Sequence, residues 1–382
     1  MIKSYNVYFL YAILLIVGLS GCGKSPIPQN PPINPHPRTI LAYFAGDNSL
    51  SWEVAQKTDS LLAGWNPVYG NLLIVADTER STSPVLLQAK MKNGKVVADV
   101  IKTYTNDNMA SPELLREVIN DMKTICPAES YGMILFSHAT GWLPQGAFSD
   151  PLGWQPPSAI NVRSIFVDQG REMTLADFSS AIPDNTFKFM AMDMCFMSSA
   201  ETAYALRNKT EYMIVSAAEI LSPGFFPIYQ NYLKGLYATE PNLNGFANAF
   251  YQHFNSKNGQ WHSATISVLK TKEIEGLAAL TKELLPTLTQ TQIDQLQYYD
   301  RNGEPHLFFD LGDYLYASAK NSYDHQRIDE ALNKCVIFKQ TTGLLIDIAI
   351  NKHSGLNVYI DQTTLPYLNA AHDHTEWAKT VK

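Results

Sequence analysis

Hydrophobic positions along the chain alternate between two patterns. Short, nearly unbroken apolar runs at Thr39–Ala45, Leu72–Ala76, Gly132–Ser137, Phe187–Met192 and Tyr212–Ala217 predict strands buried on both faces. Between them, Leu50–Trp65 carries apolar residues at helical spacing, with Asn48 or Ser49 placed to cap it. Ser111-Pro112-Glu113 opens a second helix with a cap, a proline at the first turn and an acidic residue. Its core face would carry Leu114, Leu115, Val118, Met122 and Ile125. Val85–Met91 and Val96–Tyr104 flank Asn93-Gly94, which predicts a hairpin. Thr174 to Asp177 has the form of a capping box. Such alternation of strands and helices predicts an α/β fold with a mostly parallel sheet flanked by helices.

Beyond Phe225 the pattern becomes helix-rich, at Phe246–Asn255, Thr271–Leu285, Asp310–Ala319 and Ile328–Phe338. Ala264–Leu269 and Gly355–Ile360 read as strands, which either extend the same sheet or build a second lobe. The expected division is a core over 39–240 and a helix-rich C-terminal part over 241–382 of the same unit.

The first residues are not part of that fold. Lys3 precedes an apolar stretch, Tyr8–Leu19, that falls short of the roughly 20 residues a membrane span needs. Leu19-Ser20-Gly21-Cys22 has the form of a bacterial lipobox. It implies a signal peptide over 1–21, lipid attachment at Cys22 and a membrane tether outside the cytoplasm. Residues 22–38 carry prolines at 26, 28, 31, 32, 35 and 37, a composition that favours an extended stalk.

Composition narrows the function. The chain is 46% hydrophobic with a net charge of −7, which argues against a nucleic-acid partner. Two of its four cysteines, Cys126 and Cys335, either pair in an oxidising compartment or remain separate buried thiols.

The chemistry gathers around Thr186–Arg207. There Cys195 follows the Phe187–Met192 strand and precedes apolar helical spacing at Met197, Ala200, Ala203, Tyr204 and Leu206. A cysteine at the start of a helix would gain thiolate character from the helix dipole. His138 ends the Gly132–Ser137 strand, so both residues would meet at the carboxyl edge of one sheet, where open α/β folds bind ligands. A histidine beside a thiol can take its proton and return it to a leaving amine. The stretch 143–172 between the two strands is polar, rich in Pro and Gly and without periodicity, which predicts a functional loop.

These residues resemble the clostripain family of cysteine peptidases, relatives of caspases and gingipains. The resemblance rests on Tyr43–Leu50, Ile134–Trp142, Met173–Phe178, Asp193–Met197 with Glu201, Asp310–Asp313 and Ser354–Tyr359. It implies a caspase-like fold, a His138/Cys195 dyad and an oxyanion hole made by the backbone of Ala139 and Cys195. It also implies cleavage after Arg or Lys, with Asp193 binding the basic side chain, in exported or environmental proteins. Relatives are cut between their His and Cys blocks, which points to self-cleavage after Arg163 or Arg171, with Arg163 in the less regular part of the loop. The chain departs from the family in having Ala139 and Thr140 where glycines usually follow the histidine. Calcium activates some relatives, but the sequence holds no dedicated calcium loop, so no cofactor is expected. The expected partners are a protein or peptide substrate and the membrane, with the protein a monomer. The competing function is a non-catalytic lipoprotein that binds peptides or glycans on the same fold. His372 and His374 are expected to be solvated rather than metal ligands, and Asp310 and Asp313 to open a helix.

Overall fold

Strands that are apolar at every position have to be covered on both sides, and one central sheet meets that requirement. The computed structural model describes residues 36–77, 83–156, 165–284 and 287–382. The signal segment, Cys22, nearly all of the stalk and Arg163 lie outside the described residues. In chain order the strands are β1 (His36–Ala45), β2 (Asn71–Asp77), β3 (Val85–Lys92), β4 (Lys95–Thr103) and β5 (Ala128–Phe136). They continue with β6 (Ile165–Asp168), β7 (Arg171–Met173), β8 (Phe187–Asp193), β9 (Thr210–Val215), β10 (Thr265–Lys270), β11 (Phe309–Asp310) and β12 (Val336–Thr341). Nine of them form one sheet in the order β12-β10-β9-β8-β5-β1-β2-β3-β4. Its centre, β9-β8-β5-β1-β2, is parallel, and antiparallel strands extend both edges. The fold is therefore mixed α/β, and β10 and β12 carry the C-terminal part into the same sheet.

Alternate residues of each strand feed different layers. Leu41, Tyr43, Met133, Leu135, Met190 and Met192 belong to one apolar cluster, together with residues of helices α2 (Pro112–Ile125), α3 (Leu175–Ala181) and α4 (Ala200–Leu206). Ile40, Phe44, Ile134, Phe136, Phe189 and Ala191 belong to the other. That second layer is closed by α1 (Ser51–Gly64) and by two later helices, Phe226–Leu236 and Leu243–Asn255. The chain leaves β1 for β2 on one side and returns to β5 on the other. The strand order thus reverses between β1 and β5, which makes their carboxyl ends the crevice of the sheet.

Several expectations shift by a few residues. The Asn93-Gly94 hairpin forms as read, with φ of 50° and 75° at its two turn residues. On α2, Ile119 joins the core, while Ile125 at the helix end is 40% exposed. The helix expected to reach Phe338 ends at Cys335, because β-branched Val336 and its neighbours pair with β10 instead. The helix over Phe226–Leu236 was not foreseen. No side chain of Asn48 or Ser49 caps α1; Leu50 occupies the cap position, and Asn48 accepts a bond from the Leu50 N–H. Cys126 and Cys335 are both free, with separate partners at Gln88 and the Lys270 carbonyl.

The boundary of the stalk moves for a physical reason. β1 begins at His36, and Arg38 is buried. Its guanidinium donates to the carbonyls of Leu236, Ala238 and Thr239 at 2.6, 2.5 and 3.1 Å, and to the Ser130 hydroxyl at 3.0 Å. Those carbonyls lie at the end of the Phe226–Leu236 helix and just beyond it, where backbone acceptors lack helical partners. Arg38→Met keeps the volume but strands these acceptors, and it should cost about 2–4 kcal/mol. Urea denaturation checks this, and an unchanged midpoint rejects it.

Candidate active site

Register brings the two sequence-predicted residues level. Phe136 of β5 pairs with Asp193 of β8 in a parallel ladder. His138 and Cys195 each lie two residues beyond those partners, on strands whose neighbours run roughly 4.8 Å apart. Both line a cavity of about 260 Å³ with Leu50, Glu53, Asp193 and Glu219. The cavity opens beside the β1/β5 crevice.

Cys195 does not start a helix. α4 begins at Ala200, with Ser199 as its cap accepting from the Thr202 N–H at 3.0 Å. The intervening segment turns at Cys195 and Phe196 and is held out of the helix by long-range bonds. The Ser198 N–H donates to the Ser216 carbonyl, its hydroxyl donates to Gly355, and its carbonyl accepts from the Asn357 N–H. Helical spacing in the sequence therefore begins before the helix does, and no helix-terminal N–H serves the thiol. The donor to Cys195 Sγ is instead the Ile220 N–H, at 3.4 Å. Burial pushes the thiol pKa up to about 12; the Ile220 N–H opposes this, the Glu219 and Asp193 carboxylates add to it, and Arg301 opposes it. The thiol is neutral in this state.

The next residue, Phe196, sits at φ +59°, a region that costs a non-glycine residue about 1–3 kcal/mol. Its ring stacks on Phe308 with centroids 4.2 Å apart and packs on Phe148 at 5.2 Å.

The imidazole of His138 shares a 2.8 Å hydrogen bond from Nε2 with the Ser49 hydroxyl. Burial lowers its pKa, and the Glu53 carboxylate opposes that shift. Among the described residues no hydrogen bond joins His138 to Cys195. Two neutral partners share the cavity, with the histidine turned to Ser49.

Asp193 is already engaged. Its Oδ2 accepts from Lys57 Nζ at 2.5 Å and from the Phe225 N–H at 2.9 Å. Lys57, on α1, has no exposed side-chain surface; it also meets Glu53 at 3.2 Å, the Pro223 carbonyl at 2.8 Å and the face of Phe136. Sequence reasoning missed both Glu53 and Lys57. Their i,i+4 spacing was visible, but such pairs ordinarily lie on solvated helix faces.

Ala139 is buried and bridges to Ile165 of β6. Neither Ala139 nor Thr140 has a positive φ; the left-handed turn falls on Gly141 at φ +62°, where a Cβ would lie 3.0 Å from the Phe196 carbonyl. The replaced glycines are thus accommodated by bending one residue further on.

The described part of the 143–172 stretch is more regular than its composition suggests. β6 and β7 form a hairpin within it, with Ile165 and Phe166 buried and Arg171 exposed. His372 is not solvated but buried, with Nε2 3.1 Å from Glu201 Oε1 and its ring against Trp142 and Tyr359. His374 is exposed. Among the described residues no group of three acidic, His or Cys side chains is placed to hold a metal ion. Asp310 caps the helix Leu311–Ser318, accepting from the Asp313 N–H, as expected of a helix start.

Comparison with known proteins agrees with this fold. The sequence model of the clostripain family, Peptidase C11, matches residues 42–349. A solved inactive zymogen C11 protease from Parabacteroides distasonis is 32% identical over 91% of this chain and 98% of its own, with a TM-score of 0.77. A secreted C11 cysteine protease from Bacteroides thetaiotaomicron, solved with an irreversible peptide inhibitor, is 26% identical over 91% of this chain and 99% of its own, also at 0.77. No curated protein matches the chain. The family match over most of the chain, together with these structures, means that the chain belongs to the clostripain family and is a cysteine peptidase.

Proposed function

We propose that the protein is a monomeric, lipid-anchored cysteine endopeptidase that uses a His138/Cys195 dyad to cut exported or environmental proteins after Arg or Lys. The observation that carries the dyad is the register of β5 and β8, which sets both residues level at one cavity. His138 takes the thiol proton as Sγ attacks the peptide carbonyl, and the C–N bond breaks as that proton passes to the leaving amine. Water then adds to the thioester, with His138 accepting its proton; the C–S bond breaks, the carboxylic acid product leaves, and His138 returns the proton to Sγ. The N–H groups of Ala139 and Cys195 are the proposed donors to the oxyanion.

The state described here is a resting one. With burial pushing its pKa up to about 12, the Cys195 thiol stays protonated at neutral pH. Activity requires His138 to turn from Ser49 toward Cys195. A relative solved as an inactive zymogen supports a latent form of this kind. Release is proposed to follow self-cleavage after Arg163; Arg171 lies in paired β7, so cutting there needs the hairpin to open. The lipobox at Cys22 and the secreted relative support a site of action outside the cytoplasm. No helix among the described residues is long and apolar enough to cross a membrane.

Cys195→Ala should abolish peptide hydrolysis and leave the 143–172 stretch uncut, whereas the active chain acquires a new terminus at Ser164. His138→Ala should lower turnover by about 10²–10⁴. Undiminished hydrolysis by purified Cys195→Ala sinks the dyad. Because the resting thiol is neutral, its alkylation by iodoacetamide should rise about tenfold per pH unit from about pH 7 to 9. A rate already on a plateau at neutral pH would show a thiolate–imidazolium pair instead. Cys22→Ser should move the protein from the detergent to the aqueous phase in a partition assay, and unchanged partitioning counts against the anchor.

A further inference from the structure

We infer that Glu53, rather than Asp193, supplies the unbalanced negative charge that receives the basic side chain of the substrate. This rests on the preference for Arg or Lys proposed above and assigns that preference to a residue on α1. Lys57 is enclosed between two carboxylates, Asp193 at 2.5 Å and Glu53 at 3.2 Å; burial raises the Asp193 pKa and the ammonium opposes that shift, and with both carboxylates ionised the trio carries one net negative charge. Both carboxylates line the catalytic cavity. The cavity's remaining carboxylate, Glu219, is matched by Arg301, which contacts its Oε2 through Nε at 2.8 Å and Nη2 at 2.7 Å.

Of the two carboxylates on Lys57, Asp193 is the committed one. It holds the shorter contact to the ammonium and accepts the Phe225 N–H. Gly224 closes over it so tightly that a Cβ there would lie 2.1 Å from Oδ1. Glu53 has the longer contact and is the member left to meet a second cation. An arriving guanidinium or ammonium would complete two cations against two carboxylates. Without Glu53 the same side chain would meet an ion pair that is already neutral, with the Lys57 ammonium repelling it. A buried charge of this kind is screened little by solvent, so its effect on selectivity is large.

The test compares matched peptides carrying Arg or citrulline, its neutral isostere, before the cut. Glu53 also faces His138, and any effect through the imidazole alters both substrates alike and cancels in the ratio. Glu53→Gln should lower the Arg-to-citrulline ratio of kcat/KM by about 30-fold or more, while Glu53→Asp, which keeps the charge, should retain most of it. Glu53→Ala removes the same charge with a smaller side chain and should lower the ratio equally; this variant decides the matter if Glu53→Gln does not fold. A wild-type enzyme that shows no preference for Arg overturns the basic-residue specificity itself. A wild-type preference that survives intact in Glu53→Gln or Glu53→Ala overturns the role of Glu53 alone.

Discussion

A single buried ammonium organises the catalytic end of this sheet. Lys57 has no exposed side-chain surface, so its charge persists only because every direction around it is answered. Asp193 answers from the end of β8, Glu53 from one turn back on α1, the Pro223 carbonyl from the turn after β9, and the face of Phe136 from β5. Four separate pieces of chain are thereby fixed about one point beside Cys195. Taking away the ammonium leaves two carboxylates uncompensated in a dry place, so the position of the β8 end is set by electrostatics as much as by packing.

Strain sits directly next to that anchor. Phe196 follows Cys195 in a left-handed conformation that a side chain resists, and the compensation is aromatic. Phe308 stacks on it and Phe148 packs against it. Phe148 belongs to the stretch that joins the histidine and cysteine blocks, and its carbonyl accepts from Asn302. That stretch therefore does more than connect two strands, since it helps hold the turn that presents the nucleophile. The cleavage proposed for that stretch would loosen one support of a strained turn.

Much of the sheet was legible because its strands are buried on both faces and so appear as unbroken apolar runs. His138 and Cys195 were legible for a related reason: each polar or reactive residue ends such a run. What could not be seen depended on partners distant in sequence. Ser198 and Ser199 interrupt a helical pattern through bonds to Ser216, Gly355 and Asn357, and nothing local announces them. Arg38 looked like the end of a proline-rich stalk until the helix it caps, itself unforeseen, came within reach. Lys57 and Glu53 had the pattern of a surface pair, and His372 that of a frayed terminus. In each case a polar residue is buried by a partner that composition and periodicity do not reveal.

The C-terminal part supplies neither member of the proposed dyad, yet the turn that carries Cys195 depends on it through a continuous chain of bonds. Tyr299 donates to Asp310, and the same carboxylate oxygen accepts from the Ser354 N–H at 2.6 Å. Ser354 in turn accepts from Gly312 and fixes the segment in which the Gly355 carbonyl receives the Ser198 hydroxyl. Asn357 completes the attachment, its N–H bonding Ser198 and its amide bonding the Ala217 carbonyl beside the Ile220 donor. A parallel line runs from His372 through Glu201 to the Tyr359 N–H and steadies the first turn of α4. Ser198 lies three residues past Cys195, so a displacement at Ser354 or Asn357 reaches the thiol with little intervening chain to absorb it. This explains physically why Asp310–Asp313 and Ser354–Tyr359 stand out in the sequence alongside the histidine and cysteine blocks: they set where the nucleophile turn can lie.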